Sequence, residues 1–311
     1  MFDPSGSLTL SVVVCTYNRS DILGSCLQSL AAQKAEPEKF EVVVVDNNST
    51  DRTFEIATSF AEQFRNFRVI SEPKQGLSNA RNRGWLEARG DYVAYIDDDA
   101  IAYEGWVSAI CDFVGRRPEV GVFGGPFDGF YLSDPPGWFP PEYGSLDMGS
   151  EERPIAIGKE WIIGLNMVFR KELLPRFGGF SDKLGMNGTT TAFGEEINLF
   201  LLMHEGGEQI FYVPSVRVRH LVRPEKTSLF YLISAGYLSG RNHGLTFRVE
   251  RSLREILASL LFTGVKGVLL FGTAWRRPFK RTLYYALSPL AGELGALMEY
   301  CSDRRSRKAV Q

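Results

Sequence analysis

The sequence predicts an α/β fold: a mostly parallel β-sheet with helices on both faces, followed by a helical C-terminal region. Three observations support this prediction. Short apolar runs rich in β-branched residues alternate with helical patterns over the first hundred residues. Polar side chains gather where three of these runs end, and long apolar stretches of helical character follow residue 228. Alternating strands and helices are typical of parallel sheets with right-handed crossovers.

Composition excludes several classes of protein. A chain of 311 residues with 44% hydrophobic and 23% charged residues is long enough to bury a large core. The net charge of −2 provides no general attraction to nucleic acid. The four cysteines show no CxxC spacing, which argues against a zinc site or a disulfide framework and fits a reducing compartment. The first six residues do not resemble a signal peptide.

The first hundred residues predict four strands and three helices. The continuous apolar character of the strands indicates burial on both faces of a sheet. Ser20 or Asp21 is a plausible N-cap for the first helix, and Ser49 or Thr50 for the second. We predict strands at 8–15, 40–45, 67–70 and 91–96, and helices at 21–33, 51–64 and 77–88.

Three consecutive carboxylates, Asp97, Asp98 and Asp99, end the fourth predicted strand. Like charges at such spacing cost free energy unless a cation or strong donors offset them. Two interpretations follow from these residues alone: a divalent metal site that holds a phosphorylated ligand, or an acidic turn that caps a helix. Polar clusters at 16–19 and 46–49 also end strands. Ligands bind at the carboxyl ends of strands in open α/β sheets, which favours the ligand site.

Phosphate-binding glycine motifs are absent from the sequence. No GxGxxG follows the first strand, and no GxxxxGK[ST] occurs anywhere. A phosphorylated ligand therefore has to be held in another way. Mg²⁺ and Mn²⁺ are usually bound through one or two carboxylates and substrate phosphates, so Asp99 with a metal ion is the natural candidate.

Four motifs, in their order and spacing, resemble family 2 glycosyltransferases with the GT-A fold. They are VVVCTYNR at 12–19, VVDNNSTD at 44–51, GLSNARNRG at 76–84 and the Asp triplet at 97–99.

This resemblance covers residues 8–225. It implies a Rossmann-like GT-A catalytic domain at 1–225, with a nucleotide-binding half at 8–115 and an acceptor half at 116–225, before a helical region at 226–311.

The resemblance implies an inverting glycosyltransferase of the hexosyl-transferring type. It would move a sugar from a nucleotide-sugar, with UDP favoured, to a hydroxyl of a glycan or lipid-linked acceptor in polysaccharide or glycoconjugate synthesis. Asp46 would bond the uracil edge, Arg81 would lie near the nucleotide, and Asp97 and Asp98 would contact ribose and donor sugar. The implied metal ligands for Mn²⁺ or Mg²⁺ are Asp99 and His220. The implied donor-binding residues are Thr16, Tyr17, Asn18, Arg19, Asp46, Asn48, Asn79, Arg81, Asp97, Asp98 and Gly164. For Arg19 and Arg81, a surface salt bridge is the alternative.

The segments from 103 to 222 predict the remaining elements of the catalytic domain. Gly164 would stand inside a strand that approaches the ligand closely. The aromatic, Pro-rich stretch 128–149 is either an acceptor platform or lid, or a stiff loop that buries its own aromatic rings. We predict helices at 103–114, 171–177 and 195–204, and strands at 120–126, 161–170, 210–214 and 216–222.

Glu195 and Glu196 open a predicted helix, where acidic residues are favourable for dipole reasons alone. The resemblance assigns Glu196 as the general base, with Glu195 in reserve, although the family usually has Asp at that position. A base that deprotonates the acceptor implies single displacement with inversion. A lone histidine is more often structural than a ligand. The resemblance reverses this interpretation for His220, whereas His204 and His243 are expected to be structural.

Three interpretations of the C-terminal region remain open: attachment in the plane of a membrane, packing against the catalytic domain or a partner copy in a homo-oligomer, and a true membrane span. Lys266 near the centre of the first apolar stretch makes a span costly. Basic clusters at 276–281 and 304–308 favour an anionic surface, so we expect a cytoplasmic protein at the cytoplasmic face of the membrane. The predicted helices are 228–242, 256–275 and 283–300.

Two rival functions remain. A sugar-1-phosphate nucleotidyltransferase would carry a glycine-rich loop with Arg or Lys after its first strand, and residues 16–20 contain no glycine. A non-catalytic nucleotide- or glycan-binding module would not need Glu196, the Asp triplet and His220 together.

Overall fold

A computed structural model describes residues 8–187, 194–272 and 277–309 of the chain. The chain divides into two compact units. The first comprises the described parts of Met1–Phe130, Gly144–Gly188 and Glu195–Leu221. The second comprises those of Tyr131–Tyr143, Thr189–Gly194 and Val222–Gln311.

The first unit contains the strands and the shorter helices. In its first half they are β1 Leu10–Thr16, α1 Leu23–Ala31, β2 Phe40–Asp46, α2 Thr53–Gln63, β3 Phe67–Ser71, α3 Leu77–Glu87, β4 Tyr92–Ile96, β5 Ala100–Ala102, α4 Trp106–Arg116, β6 Val122–Gly124 and β7 Phe127–Phe130. In its second half they are β8 Arg153–Pro154, β9 Asn166–Arg170, α5 Leu173–Arg176, α6 Glu195–Glu205, β10 Ile210–Tyr212 and β11 Val218–Leu221.

The main sheet has the strand order β3-β2-β1-β4-β9-β6-β10-β8. Strand β1 pairs in parallel with both β2 and β4, and Thr16 lies opposite Asp46 in the register. The carboxyl ends of these three strands therefore meet at one edge of the sheet. Strand β9 runs antiparallel to β4 and β6, so the sheet is mixed at its centre and mostly parallel elsewhere. The predicted fold class is confirmed.

Valine runs build the core of this sheet. Val12, Val14 and Val44 pack into one hydrophobic cluster, whereas Val13 and Val43 pack into the cluster on the opposite face. Successive side chains of a strand point to opposite faces, so a sheet covered on both sides requires a continuous apolar run. This is why the strand positions were readable in the sequence.

A small second sheet has the order β5-β11-β7. Strand β11 runs antiparallel to β5, with His220 opposite Ala100 in the register. The backbone N–H of Leu221 donates to the carbonyl of Asp99 at 2.9 Å. Sequence analysis missed β5, which follows the Asp triplet directly, and therefore missed this pairing.

Both predicted helix caps are wrong. Helix α1 follows Ile22 and α2 follows Arg52, and neither of these residues makes a side-chain cap. The polar residues before α2 are used instead to join two loops: the hydroxyl of Ser49 accepts from the N–H of Asn18, and the N–H of Thr50 donates to the Asn18 side chain.

The described residues of the second unit form helices and connecting segments. Helices α7 (Leu229–Arg241) and α10 (Phe279–Ala309) approach at backbone contact. A Cβ on Gly240 would overlap the carbonyl of Gly292, and one on Gly236 would lie 2.7 Å from the carbonyl oxygen of Ser288. Within the described residues, no helix combines the length and the apolarity that a membrane crossing requires. The elements are a 3₁₀ helix at Pro224–Thr227, then α7 Leu229–Arg241, α8 His243–Phe247, α9 Leu253–Phe271 and α10 Phe279–Ala309.

The aromatic stretch 131–143 also belongs to the second unit. Phe139 is buried in a cluster with Val222 and Leu232. The guanidinium of Arg281 donates to the backbone carbonyls of this stretch, including that of Trp138 at 2.8 Å. These contacts favour a loop that buries its own aromatic rings over an exposed platform.

Candidate active site

The strand ends of the first unit assemble one polar site. Thr16 ends β1, Asp46 ends β2, and Asp97 follows β4. Because these three neighbouring strands are parallel, their ends lie side by side. The predicted clustering of polar residues at this edge is confirmed.

Asn18 and Asp46 organise the loops after β1 and β2. Asn18 and Asn48 have positive φ angles of 51° and 67°, a conformation that asparagine tolerates better than most residues. Asp46 accepts from the N–H of Ser49 at 3.2 Å through one carboxylate oxygen. Its other oxygen, Oδ1, is buried without a hydrogen-bond partner among the described residues. A buried acceptor without a donor is costly, so this oxygen suits an N–H group of a bound ligand.

Asn47 is a site-forming residue that sequence reasoning missed. Its backbone N–H donates to the carbonyl of Thr16 at 2.8 Å. Its side chain donates to the carbonyls of Glu72 and Lys74, and accepts from the N–H of Gly76 at 2.7 Å. Asn47 thus joins the end of β2 to the start of α3. The available signal was an amide side chain directly after a buried strand, in the polar cluster at 46–49.

The Asp triplet concentrates negative charge in a buried place. Asp98 and Asp99 are both buried, and the guanidinium Nε of Arg19 lies 3.7 Å from Asp98 Oδ1. Burial and the neighbouring charge of Asp99 raise the pKa of Asp98 to about 7, although Arg19 opposes the shift. Burial and like charge therefore disfavour the ionised form of Asp98, and a cationic ligand beside it would offset that cost.

Asp99 and His220 lie next to each other beside the paired strands β5 and β11. His220 Nε2 lies 3.4 Å from Asp99 Oδ1, and both side chains are largely buried. The other ring nitrogen, Nδ1, is buried without a hydrogen-bond partner among the described residues. The pair is brought together by the β5–β11 register, since Asp99 directly precedes Ala100 and His220 lies opposite Ala100.

One carboxylate and one imidazole form an incomplete set of metal ligands. Within the part of the chain that is described, no group of three or more His, Cys, Asp or Glu side chains is arranged to hold a metal ion. Mg²⁺ and Mn²⁺ commonly take one or two protein ligands and complete their coordination with substrate phosphates and water. Asp99 and His220 therefore fit a metal that is shared with a phosphorylated ligand.

Arg81 on α3 lies at the centre of the site and is only 3% exposed. Its guanidinium forms an ion pair with Glu195, lies 3.5 Å from Asp97 Oδ1, and packs over the ring of Phe180. This burial excludes a surface salt bridge for Arg81, whereas Arg19 remains partly exposed. Arg81 links the carboxylate that follows β4 to the carboxylate that opens α6.

Gly164 does not stand inside a strand, because β9 begins only at Asn166. A Cβ on Gly164 would lie 2.7 Å from the guanidinium of Arg81. The Arg81 guanidinium also lies 3.4 Å from the Gly164 carbonyl oxygen, to which it donates. The absence of a side chain thus makes room for Arg81, and the predicted strand at 161–170 is wrong for its first five residues.

The two glutamates of α6 have different environments. Glu195 is 4% exposed and is neutralised by Arg81. Burial, followed by the charge of Glu195, raises the pKa of Glu196 to about 7, although Arg81 opposes the shift. A carboxylate with a pKa near neutrality is well suited to exchange protons with a ligand at physiological pH.

Three expected donor-binding residues are exposed or hydrogen-bonded elsewhere in the described part of the chain. Tyr17 and Asn48 are exposed. The side chain of Asn79 donates to the carbonyl of Gln75 at 3.0 Å, at the start of its own helix. Their roles toward a ligand stay predictions.

Comparisons with known proteins match one family model and several relatives. The model of the family described as "Glycosyl transferase family 2" matches residues 11–175. The chain is 26% identical over 239 residues to the glucosyl-dolichyl phosphate glucuronosyltransferase of Haloferax volcanii. The aligned residues cover 75% of each chain. It is 27% identical over 286 residues to the succinoglycan biosynthesis protein ExoM of Rhizobium meliloti, which covers 88% of this chain and 89% of that one.

Two solved structures are similar in fold. The mannosyltransferase PcManGT from Pyrobaculum calidifontis, in complex with GDP-Man and Mn²⁺, has a TM-score of 0.63 at 20% identity, covering 95% of this chain and 88% of that one. TarS 1–349 from S. aureus, in complex with UDP, has a TM-score of 0.55 at 17% identity, covering 96% and 92%. These likenesses show the GT-A fold.

Proposed function

Because the chain belongs to glycosyl transferase family 2 and is a glycosyltransferase, we propose that it transfers a hexose from a UDP-sugar to a hydroxyl of a glycan or lipid-linked acceptor, with inversion at the anomeric carbon. One observation carries the proposal. Arg81 forms an ion pair with Glu195 and lies 3.5 Å from Asp97, so the acidic group that begins α6 and the acidic group that follows β4 share one site. A general base and a donor-binding carboxylate would then act on the same sugar.

The donor would be recognised through the loops after β1 and β2. The unpartnered Oδ1 of Asp46 would accept the N3–H of uracil, since it is a buried acceptor beside the strand ends. Asp97 and Asp98 would hold the ribose and sugar hydroxyls. The solved TarS structure binds UDP, which supports the choice of nucleotide, whereas the PcManGT structure binds GDP-Man. Guanine also offers an N–H to an acceptor, so both nucleotides belong in the test.

Asp99 and His220 would hold Mn²⁺ or Mg²⁺, and the bound ion would supply neutralisation of charge on the leaving diphosphate. The solved PcManGT structure holds Mn²⁺ together with its donor, which supports a divalent metal.

Glu196 would take the proton of the acceptor hydroxyl as its oxygen attacks the anomeric carbon. The bond from the acceptor oxygen to that carbon forms, and the bond from the carbon to the diphosphate oxygen breaks on the opposite face. The products are the glycoside, UDP and a protonated Glu196. Glu195 would act through Arg81, because that ion pair anchors the first turn of α6 next to Glu196.

The names of two relatives support the proposed acceptor class, and the basic clusters near the C-terminus support its location at a membrane surface. One relative is named for succinoglycan biosynthesis and another for a glucosyl-dolichyl phosphate. The basic clusters at 276–281 and 304–308 would favour the cytoplasmic face of a membrane, where lipid-linked acceptors are accessible.

Nucleotide release from a panel of UDP- and GDP-sugars in the presence of Mn²⁺ tests the proposed reaction. We expect release with a UDP-sugar, a loss of more than about tenfold on chelation because the diphosphate leaves without its counter-ion, and recovery when Mn²⁺ is returned. Release that is unchanged by chelator would contradict metal dependence.

Asp99→Asn is expected to lower nucleotide release by a factor similar to that caused by chelation. The matched control is Asp91→Asn, an exposed aspartate that precedes the other end of β4 and should leave the rate unchanged.

The pH dependence of transfer tests the role of the glutamate pair. The base must be ionised, so the rate is expected to rise with pH through an apparent pKa of about 7. Glu195→Gln removes a negative charge that raises the pKa of Glu196, so this rising limb is expected to move to lower pH. Glu205→Gln, at the end of the same helix, should leave it in place. A limb that stays in place in Glu195→Gln would contradict the electrostatic coupling of the pair.

A further inference from the structure

Helix α9 in the second unit exposes an apolar face. Leu261, Val268 and Leu269 are 70–72% exposed, and Phe262 and Val265 are also exposed. We call these five residues together with Leu257 the outward face of α9. On the opposite side of the helix, Ile256 is buried and Gly267 lies against Ala286 of α10.

The outward face is continuous. At 100° per residue its six side chains cover an arc of about 140°, and from 257 to 269 the face extends about 18 Å along the helix axis. Lys266 lies at the margin of this arc and is exposed. Soluble monomers rarely expose a large contiguous apolar patch, and such patches mark surfaces that another apolar phase or molecule covers.

The charge around this face is positive. Within residues 252–272 and 277–302 there are five Lys and Arg against three Asp and Glu, although the whole chain carries a net charge of −2. Arg254, Lys266 and Lys280 are exposed on the two helices. Glu255, the acidic residue in the first turn of α9, is engaged with the backbone N–H and hydroxyl of Ser252 in a capping box.

We propose that the outward face of α9 lies in the plane of a membrane that contains anionic lipids. Its apolar side chains would enter the boundary between headgroups and acyl chains, as in other interfacial amphipathic helices. Lys266, at the margin, would extend its apolar stem along this boundary and place its ammonium among the phosphates. The proposal deepens the proposed function and rests on it, because a lipid-linked acceptor is presented at such a surface.

A second copy of the chain fits this face less well. A symmetric interface pairs a patch with itself, so the positive charges around one α9 would lie against those around the other. Juxtaposed like charges cost free energy, whereas an anionic bilayer complements them.

Flotation of the full chain with lipid vesicles tests the inference. We expect binding to phosphatidylcholine vesicles that contain phosphatidylglycerol, weaker binding to pure phosphatidylcholine, and a loss of binding at high salt. Leu261→Glu is expected to lower the partition coefficient by about tenfold or more, since a buried leucine contributes at least that factor. Lys266→Gln is expected to lower it by about fivefold.

The matched control is Leu86→Glu, which changes an equally apolar, 61% exposed leucine on helix α3. It should bind vesicles like the unchanged chain. Equal binding by Leu261→Glu and Leu86→Glu would overturn the inference. So would a dimer in solution that Leu261→Glu dissociates, since a second copy would then occupy the face.

Binding of UDP in vesicle-free buffer separates this inference from the proposed function. We expect Leu261→Glu to bind UDP like the unchanged chain. Loss of vesicle binding with UDP binding intact is the predicted result. A chain that binds UDP but never binds vesicles would overturn the membrane inference alone, and one that binds vesicles but no nucleotide would overturn the proposed function.

Discussion

Glu196→Gln is expected to lower kcat for sugar transfer by about 10²–10⁴-fold, the range over which a positioned general base contributes to catalysis. The amide has the same shape as the carboxylate but cannot accept the acceptor proton. The pKa of Glu196, raised to about 7, leaves a substantial fraction of this carboxyl group ionised at neutral pH. The proposed base is therefore available in the unchanged enzyme. Donor binding should persist, because Glu196 belongs to α6 and not to the strand ends that are proposed to bind the nucleotide.

Single-turnover transfer and UDP binding, measured separately, check this prediction. Glu205→Gln on the same helix should leave both unchanged. Transfer at the normal rate in Glu196→Gln would show that another group takes the proton. A loss of the same size in Glu195→Gln alone would place the base at position 195 instead.

Arg81→Met is expected to lower the free energy of unfolding by about 3–5 kcal/mol, because it leaves Glu195 buried and unpaired. Methionine retains much of the apolar volume against Phe180, so the loss reports mainly on charge. Urea denaturation monitored by circular dichroism measures it. Arg83→Met is the matched control on the same helix, since Arg83 pairs with Glu87 in an exposed ion pair that contributes less than about 1 kcal/mol.

The double variant Arg81→Met/Glu195→Leu separates stability from catalysis. Replacing both members of a buried ion pair by apolar residues is often neutral, so much of the lost stability should return. Transfer should not return with it, because the guanidinium that lies 3.5 Å from Asp97 Oδ1 and pairs with the first turn of α6 is gone. A double variant as unstable as Arg81→Met would mean that Asp97, not Glu195, is the partner that matters for folding.

The order of strands and helices along the first hundred residues was readable because their signals are local. Buried valine runs, such as residues 42–45, are short and β-branched, which separates them from helices, and continuously apolar, which separates them from half-exposed strands. Helix caps were less readable, since Ser49 and Thr50 hydrogen-bond to the loop that contains Asn18 rather than to their own helix. A single sequence does not show whether such a residue caps its own helix or hydrogen-bonds to a segment distant in sequence.

The partners of the site residues depended on contacts between distant segments. His220 reaches Asp99 only because β11 pairs with β5, a strand of three residues that carries little sequence signal. Arg81 reaches Glu195 across 114 positions. Asn47 connects β2 to the segment that leads into α3 through three side-chain hydrogen bonds, which its local sequence did not indicate.

The amino-acid sequence by itself determined the α/β class, the placement of polar groups at the strand ends and the identity of the carboxylates in the Asp triplet. These features follow from side-chain periodicity and from residue type, which are local properties. The tertiary structure alone decided which carboxylate faces His220, which glutamate is neutralised by Arg81 and which has a pKa near 7. Those properties depend on burial and on charges brought close by strand register and helix packing, and no short stretch of sequence contains them.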